Sequence, residues 1–304
     1  MHTATKRLLS TLLFAGLSLA LVSCSAEPSS ASPAASTTPP TIISESPEPS
    51  ASQPAVPSPT PTPTPTPEPE PVPDYPPYEF GTSLEETEPV QDDSFFDSAV
   101  FLGDSRTEGF QLFSGMKHGD FYWARGMTVF RVDNSDYRIF EVDGEMLTMI
   151  EALGKKSYDA VYIMIGVNEL GYAAEQYESG LGAMIDQVQA AQPDAVIYLQ
   201  TLPPINDSIA RENGLADYIN NSQVTLFNES IVRVAAEKKV VLLNTAEVYR
   251  DEDGQLIADI AADGCHFTYG GYARWADYLR CHVMDPDRYH YSRSLAAGET
   301  ENGE

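Results

Sequence analysis

Ser98-Ala-Val-Phe-Leu-Gly-Asp-Ser-Arg-Thr-Glu-Gly-Phe110 is the stretch around which the rest of the chain is organised. Four apolar residues in a row predict a buried strand over Ala99–Leu102, and residues 106–113 have the mixed character of a first helical turn. A serine at the junction between a strand and the helix that follows it has an exposed hydroxyl near convergent helix N–H groups, which suits an acyl-transfer nucleophile. By itself the stretch favours the simpler interpretation that Ser105 caps the helix. Its meaning depends on partners elsewhere in the chain.

The beginning of the chain has the pattern of a signal peptide. A charged start over residues 1–7 precedes an apolar run over residues 8–22 that is too short for a stable membrane span. The run ends in Leu21-Val-Ser-Cys24, which resembles the lipobox of bacterial lipoproteins. The resemblance implies cleavage after residue 23 and acylation of Cys24; an ordinary secretory peptide is the alternative. We therefore expect the protein on the extracellular face of a bacterial membrane, held by a lipid anchor.

Residues 24–92 are dominated by Pro, Ser, Thr, Ala and Glu, and nineteen of the 23 prolines of the chain fall between Pro28 and Pro89. Such a segment has little to bury and lacks many backbone donors. It predicts a disordered, extended spacer between the anchor and a folded domain. A ligand for a proline-recognising groove is the alternative interpretation of the same run.

The remaining residues, 93–293, are enough for one domain with a sizeable core, and residues 294–304 predict a frayed tail. The formal net charge of −27 argues against nucleic acid or anionic lipid as a partner of the domain. We expect membrane contact through the anchor only, and a monomer. Cys265 and Cys281 flank a predicted helix over residues 268–280, whose ends lie about 18–20 Å apart, so a disulfide between them is not expected.

Strands and helices alternate after Ser105, which predicts a parallel sheet covered by helices on both faces. Further strands are expected at residues 158–165, 195–201 and 240–244, and helices at residues 146–153, 177–191 and 219–234. The carboxyl ends of the strands then bring Gly103–Ser105, Gly166–Glu169 and Pro203–Asn206 to one edge. Residues 121–140 are the least clear; residues 127–132 predict a strand, and the rest are expected to cover the site.

A second candidate segment, Asp263-Gly-Cys-His266, lies on a loop that enters the predicted helix at residue 268. An aspartate three residues before a histidine can orient the imidazole and stabilise its charged form. The imidazole can then act as general base toward a serine elsewhere. A helix cap followed by a surface histidine fits the same segment.

Four short blocks occur in the order and context of the SGNH/GDSL hydrolase family, which the chain resembles: Gly103-Asp-Ser105, Gly126, Gly166-Val-Asn168 and Asp263-Gly-Cys-His266. The resemblance implies a flavodoxin-like three-layer α/β/α sandwich with a central parallel sheet. It implies that Ser105 is the nucleophile, His266 the general base and Asp263 its orienting partner. It also implies an oxyanion hole made by the backbone N–H groups of Ser105 and Gly126 and by the side-chain amide of Asn168. No metal or organic cofactor is implied.

Two positions depart from the family pattern. Arg106 stands where the GDSL signature has Leu, and Glu169 follows Asn168 where many members have Asp. Neither position has a role in proton transfer. We expect Arg106 to pair with Asp104 or Glu108, and contact with the substrate is the alternative.

Together these observations predict an extracellular serine esterase that removes acyl groups, acetyl above all, from a carbohydrate or cell-wall polymer. Carbohydrate is inferred from the surface location and the long spacer. The chain has no long apolar stretch that would form a lipid tunnel or lid, which disfavours a lipase or lysophospholipase. An acyltransferase using the same residues is one alternative. A catalytically inactive binding protein is another, although a complete set of Ser105, Asn168, Asp263 and His266 argues against it.

Overall fold

The computed structural model describes residues 76–90 and 92–301. The predicted signal peptide, Cys24 and the predicted linker through residue 75 lie outside the described residues. Among the described residues, no helix has both the length and the apolar character that crossing a bilayer requires.

Strands and helices alternate along most of the described chain. The strands are β1 (Ala99–Gly103), β2 (Asp120–Trp123), β3 (Phe140–Val142), β4 (Glu145–Leu147), β5 (Ala160–Met164), β6 (Val196–Gln200) and β7 (Val241–Leu243). The helices are α1 (Ser105–Phe113), α2 (Met149–Leu153), α3 (Ala174–Ala191), α4 (Asp207–Glu212), α5 (Asn221–Lys238), α6 (Tyr269–Arg280) and α7 (Pro286–Glu301).

Five strands form one parallel sheet in the order β2-β1-β5-β6-β7, while β3 and β4 form a separate antiparallel hairpin. Counted within the sheet alone, the order is 2-1-3-4-5, the flavodoxin-like topology. Helix α1 packs against α6 through Phe110 and Trp275, and α3 packs against α5 through Tyr177 and Phe227. The predicted three-layer α/β/α sandwich is confirmed.

Aromatic side chains in register run across the middle of the sheet. Phe121, Phe101, Tyr162 and Tyr198 occupy paired positions on four adjacent strands. Their successive ring centroids lie 4.8, 5.1 and 4.4 Å apart. Cross-strand aromatic pairs stabilise a sheet beyond the area they bury. This row of stacked rings thus fixes a register in which the carboxyl ends of β1 and β5 lie side by side.

The region between α1 and α2 differs from the prediction. The strand expected over residues 127–132 is wrong, because these residues form successive turns, with Arg131 N–H donating to the Thr128 carbonyl at 3.0 Å. The edge strand is β2 instead, whose side chains are all partly exposed and so lack the continuous apolar pattern of a buried strand. Residues 145–147 pair in the hairpin rather than joining α2, which begins at Met149.

The folded unit extends beyond the predicted boundaries. A linker reaching to residue 92 is wrong for residues 76–90, because Tyr78 and Leu84 are buried and Leu84 N–H donates to the Leu242 carbonyl at 2.9 Å. A frayed tail from residue 294 is also wrong, because α7 continues to Glu301. Tyr78 N–H donates to Ser292 Oγ at 2.7 Å, which joins the N-terminal addition to α7.

Candidate active site

Ser105 lies at the corner between β1 and α1, at the carboxyl end of a central strand. Asp104 caps the helix, since its Oδ1 accepts the backbone N–H of Arg106 at 2.8 Å. The helix cap is therefore accounted for without the Ser105 hydroxyl. Gly103 is required at this corner because a Cβ there would lie 2.4 Å from the Met164 carbonyl oxygen. The result is a tight turn that presents Ser105 at the sheet edge.

The loop before α6 carries an acid–base pair that reaches Ser105. His266 Nε2 lies 2.8 Å from Ser105 Oγ, and His266 Nδ1 lies 2.8 Å from Asp263 Oδ2. Asp263 Oδ1 accepts the backbone N–H groups of Cys265 and His266 at 2.9 and 2.7 Å. The hydrogen bond from the His266 side chain, aided by these two, holds the pKa of Asp263 well below its usual range. Asp263 is therefore a carboxylate at neutral pH, aimed at the imidazole.

Arg106 lies fully buried beneath this loop. Its Nε donates to the Cys265 carbonyl at 3.1 Å, and its Nη2 lies 3.6 Å from the Cys265 Sγ. The expected ion pair with Asp104 or Glu108 is wrong, because the guanidinium points at Cys265 and Glu108 is paired with Arg125. Arg106 thus ties the first turn of α1 to the loop that carries the acid–base pair.

The two other predicted oxyanion groups lie on neighbouring turns. Gly126 follows β2 and has a φ of +73°, and a Cβ there would meet nothing within 4 Å. Asn168 lies in the 3-10 turn after β5, and its Nδ2 donates to the Met127 carbonyl at 3.0 Å and to Asp104 Oδ2 at 3.4 Å. The fold therefore brings Gly126 and Asn168 to the same edge as Ser105, with open space beside Gly126.

Glu169 is a site residue that the sequence analysis did not single out as functional. It is fully buried, and its Oε1 accepts the Val129 backbone N–H at 2.6 Å, while Oε2 is buried without a hydrogen-bond partner among the described residues. Burial raises the pKa of Glu169 to about 8, and the nearby Asp104 carboxyl, itself buried, acts in the same direction. The signal for it was a charged residue placed directly after an apolar strand.

An open cleft of about 470 Å³ runs from Ser105 along α1. Its lining residues are Ser105, Glu108, Gly109, Leu112, Phe113, Arg125, His266 and Tyr272. Four of them follow the helical spacing of α1 from Ser105, which is the signal that sequence reasoning missed. Arg125 Nε and Nη2 donate to both carboxylate oxygens of Glu108 at 2.6 and 2.7 Å, which closes one rim. A larger cleft of about 540 Å³ beside residues 83–86 contains none of the predicted site residues.

Within the described ranges, no group of three or more His, Cys, Asp and Glu side chains is arranged to hold a metal ion. Cys265 is buried, Cys281 is partly exposed, and both are free cysteines.

A serine hydroxyl, an imidazole and a carboxylate joined in series on an α/β/α sandwich define the class of serine hydrolases. Residues 101–274 match the model of the GDSL-like lipase/acylhydrolase family. The chain belongs to this family.

Individual relatives are distant. The chain is 24% identical over 127 residues to "Putative endoglucanase X" of Acetivibrio thermocellus, a match that covers 42% of this chain and 50% of the relative. The chain thus spans about half the length of that curated relative. Among solved structures, a "putative platelet activating factor" from Streptococcus pneumonia is 21% identical with a TM-score of 0.48, covering 60% of this chain and 82% of the other. A GDSL-like lipase from Bacteroides thetaiotaomicron is 16% identical with a TM-score of 0.44, covering 63% and 87%.

Proposed function

We propose that the protein is a serine esterase that removes short acyl groups, acetyl above all, from a carbohydrate or cell-wall polymer. The observation that carries the proposal is the unbroken series Ser105–His266–Asp263, with both joining distances at 2.8 Å. Distances in this range allow proton transfer without rearrangement of the chain.

In the first half of the reaction, Ser105 Oγ attacks the ester carbonyl carbon and its proton passes to His266 Nε2. The carbonyl oxygen becomes an oxyanion, for which the Ser105 N–H, the Gly126 N–H and the Asn168 amide are the donors. The Asn168 amide releases its long 3.4 Å contact with Asp104 to bind the oxyanion and keeps its contact with Met127. The imidazolium, stabilised by the Asp263 carboxylate, then gives its proton to the leaving alcohol oxygen as the C–O bond breaks. An acyl-Ser105 ester remains.

In the second half, a water molecule gives a proton to His266 Nε2 and attacks the acyl carbon. The oxyanion forms again, bound by the same donors. The tetrahedral intermediate then collapses, the bond between the acyl carbon and Ser105 Oγ breaks, and Oγ takes back the proton from the imidazolium. The products are the free alcohol and the carboxylic acid, and the enzyme is restored. Apart from the ester and one water molecule, no reactant outside the chain is needed.

The open cleft supports a carbohydrate alcohol rather than a long acyl chain. On one wall, Leu112 and Phe113 remain 51 and 42% exposed, and Phe113 contacts Tyr269, which is 67% exposed. A flat, exposed aromatic side chain can pack against the C–H face of a sugar ring, whose hydroxyls then stay in water or reach the Glu108–Arg125 rim. An acyl chain on the same wall would remain half solvated and gain little. The relative that bears the name endoglucanase is in keeping with a carbohydrate substrate.

The location proposed for this activity is the outer surface of a bacterial membrane, through a lipid on Cys24. Its support is the lipobox-like Leu21-Val-Ser-Cys24 and the proline-rich segment that follows. Mass spectrometry of the mature chain tests this part on its own. A diacylated N-terminal Cys24 is expected, and an N-terminus at any other residue would contradict it.

The test of the activity is turnover of p-nitrophenyl acetate, butyrate and octanoate and of acetylated xylan and chitin oligomers by residues 76–301. We expect the highest kcat/KM on acetyl esters and a loss of at least about 10³-fold in Ser105→Ala. Equal, low turnover by the two proteins would contradict the hydrolase. Faster transfer of acetyl to an added oligosaccharide than to water would make it an acyltransferase, and a preference for octanoate would favour a lipase.

A further inference from the structure

Glu169 stands out because a buried carboxyl group normally has to be paired or fully hydrogen-bonded. Its side chain is fully buried, yet only Oε1 has a hydrogen-bond partner among the described residues. The neighbouring Asp104 carboxyl is buried as well, so two acidic groups share this part of the interior. A buried carboxyl group with one unpaired oxygen beside a second buried carboxyl group lowers the stability of the fold. Such a residue is therefore a candidate for a role in function rather than in stability.

The hydrogen-bond partner that the described residues provide for the Glu169 side chain lies in the turn that presents Gly126. Glu169 Oε1 accepts the Val129 N–H at 2.6 Å, and the adjacent Asn168 donates to the Met127 carbonyl at 3.0 Å. Two consecutive side chains of the turn after β5 therefore hold two consecutive peptide groups, Met127–Thr128 and Thr128–Val129, in the turn after β2. This pair of contacts fixes the position and the tilt of both peptide groups and through them restrains Gly126, whose carbonyl is bonded to Met127.

Other contacts also hold this turn. On its exposed side, Arg125, just before Gly126, donates to the Glu108 carboxylate of α1 at 2.6 and 2.7 Å. Ala124 N–H donates to the Gly103 carbonyl at 3.4 Å, and Met127 N–H donates to the Ala124 carbonyl at 3.0 Å. The Gly126 carbonyl accepts from Arg131, whose side chain is exposed. The Ala124 contact is long, the Met127 contact lies within the turn, and the Arg131 side chain is exposed. The contact from Glu169 is the short one that reaches the turn from the buried side.

We propose that Glu169 is a positioning residue of the oxyanion hole, whose buried carboxyl holds the turn Gly126–Val129 where the Gly126 N–H and the Asn168 amide can bind the same oxygen. The inference rests on the proposed function, because it assigns the support of that site. Glu169 touches neither the substrate nor the reacting atoms. Burial keeps the carboxyl protonated near neutral pH, so a neutral side chain of the same shape can take its place.

The test compares Glu169→Met with Glu169→Gln. Met has nearly the same volume and no hydrogen-bond acceptor of comparable strength, and it removes the buried acid, so the variant is expected to fold with equal or higher Tm. Gln keeps an acceptor oxygen for the Val129 N–H. Glu237→Met, at an exposed glutamate near the end of α5, is the matched control.

For Glu169→Met we expect kcat on p-nitrophenyl acetate to fall about 10–100-fold with KM within about 2-fold, somewhat less than the loss of an oxyanion donor itself. The kcat of Glu169→Gln is expected to lie within about 3-fold of the wild-type value. The kcat of Glu237→Met is expected to equal the wild-type value. The affinity of a trifluoromethyl ketone, whose adduct places an oxyanion in the hole, should fall in Glu169→Met by the same factor as kcat. A role in stability alone would leave kcat and this affinity unchanged.

Failure of this proposal is distinguishable from failure of the proposed function. Turnover that depends on Ser105 but is unchanged in Glu169→Met would overturn the positioning role and leave the esterase standing. If wild type hydrolyses none of the esters, the esterase fails, and the rate at which a fluorophosphonate labels Ser105 takes the place of kcat. Equal labelling of wild type and Glu169→Met would then overturn the positioning role, and slower labelling of Glu169→Met would support it.

Discussion

The loop Asp263–His266 and the turn Gly126–Val129 flank Ser105 and are held in different ways. The loop is largely tied within itself, because Asp263 accepts two backbone N–H groups of the same loop as well as the His266 side chain. The turn is held from a distant part of the chain, by the side chains of Asn168 and Glu169 in the turn after β5. Proton transfer is thus assigned to a local motif, and charge stabilisation to a contact between distant parts of the chain.

The two roles can be tested by removing the acid–base pair and the oxyanion donors separately. The largest loss of activity is expected for the acid–base pair. His266→Ala is expected to lower kcat on p-nitrophenyl acetate by at least about 10³-fold, since Ser105 loses the group that takes its proton. Steady-state kinetics on purified protein measure this loss, with Glu252→Ala, at an exposed loop position, as control. A loss below 10-fold would mean that His266 is not the base.

Removal of the oxyanion amide is expected to cost less. Asn168→Ala should lower kcat by about 10²–10³-fold with little change in KM, because the amide acts on the developing charge rather than on the bound ester. Asn168→Asp, which keeps the size but lacks the two amide donors, should be at least as impaired. If either variant raised KM while kcat stayed constant, Asn168 would be a substrate-binding residue instead.

The same division decides what the sequence could predict. Asp263 and His266 lie three residues apart, and the predicted contact with Ser105 is present because both segments follow strands of one parallel sheet. The edge strand β2 and the support from Glu169 were not predicted, since a partly exposed Asp-Phe-Tyr-Trp strand lacks a burial pattern and a contact across 40 residues leaves no local trace. Arg106 shows why sequence proximity can mislead. Carboxylates nearby in sequence predicted an ion pair, but in the folded protein Arg106 donates to the Cys265 carbonyl.

Arg106 makes the acid–base loop less independent than its own hydrogen bonds suggest. In Arg106→Leu the buried Cys265 carbonyl loses its donor and the nearby buried Asp104 loses a favourable charge. We expect a loss of about 1–3 kcal/mol in the free energy of unfolding and a fall in kcat of about 10-fold. Urea titration and steady-state kinetics measure the two effects. Unchanged kcat with reduced stability would show that the loop keeps His266 in place without Arg106.

The protonation state of Glu169, which holds the turn, can be tested through the pH dependence of the free energy of unfolding. Glu169 has a pKa of about 8 in the folded protein against 4.5 for the free side chain. The folded state therefore binds more protons than the unfolded state between these values, and stability falls as pH rises through this window. Between pH 5.5 and 6.5 the free energy of unfolding of wild type should drop by about 1.4 kcal/mol relative to Glu169→Gln, which does not titrate there. Parallel curves for the two proteins would mean that Glu169 is ionised when folded.

The smallest expected effect lies outside both loops, on the apolar wall of the cleft. Phe113→Ala should raise KM for an acetylated oligosaccharide about 5-fold, since the exposed ring contributes on the order of 1 kcal/mol of contact to a bound sugar ring. Turnover of p-nitrophenyl acetate should barely change if the sugar is the group that occupies this wall. Phe95→Ala is the matched control, because Phe95 is similarly exposed, at 44%, but precedes β1 at the opposite end of the strand from Ser105. If Phe113→Ala instead lowered kcat/KM in proportion to the length of the acyl chain, the wall would bind the acyl group, and the alcohol would lie toward the turn Gly126–Val129.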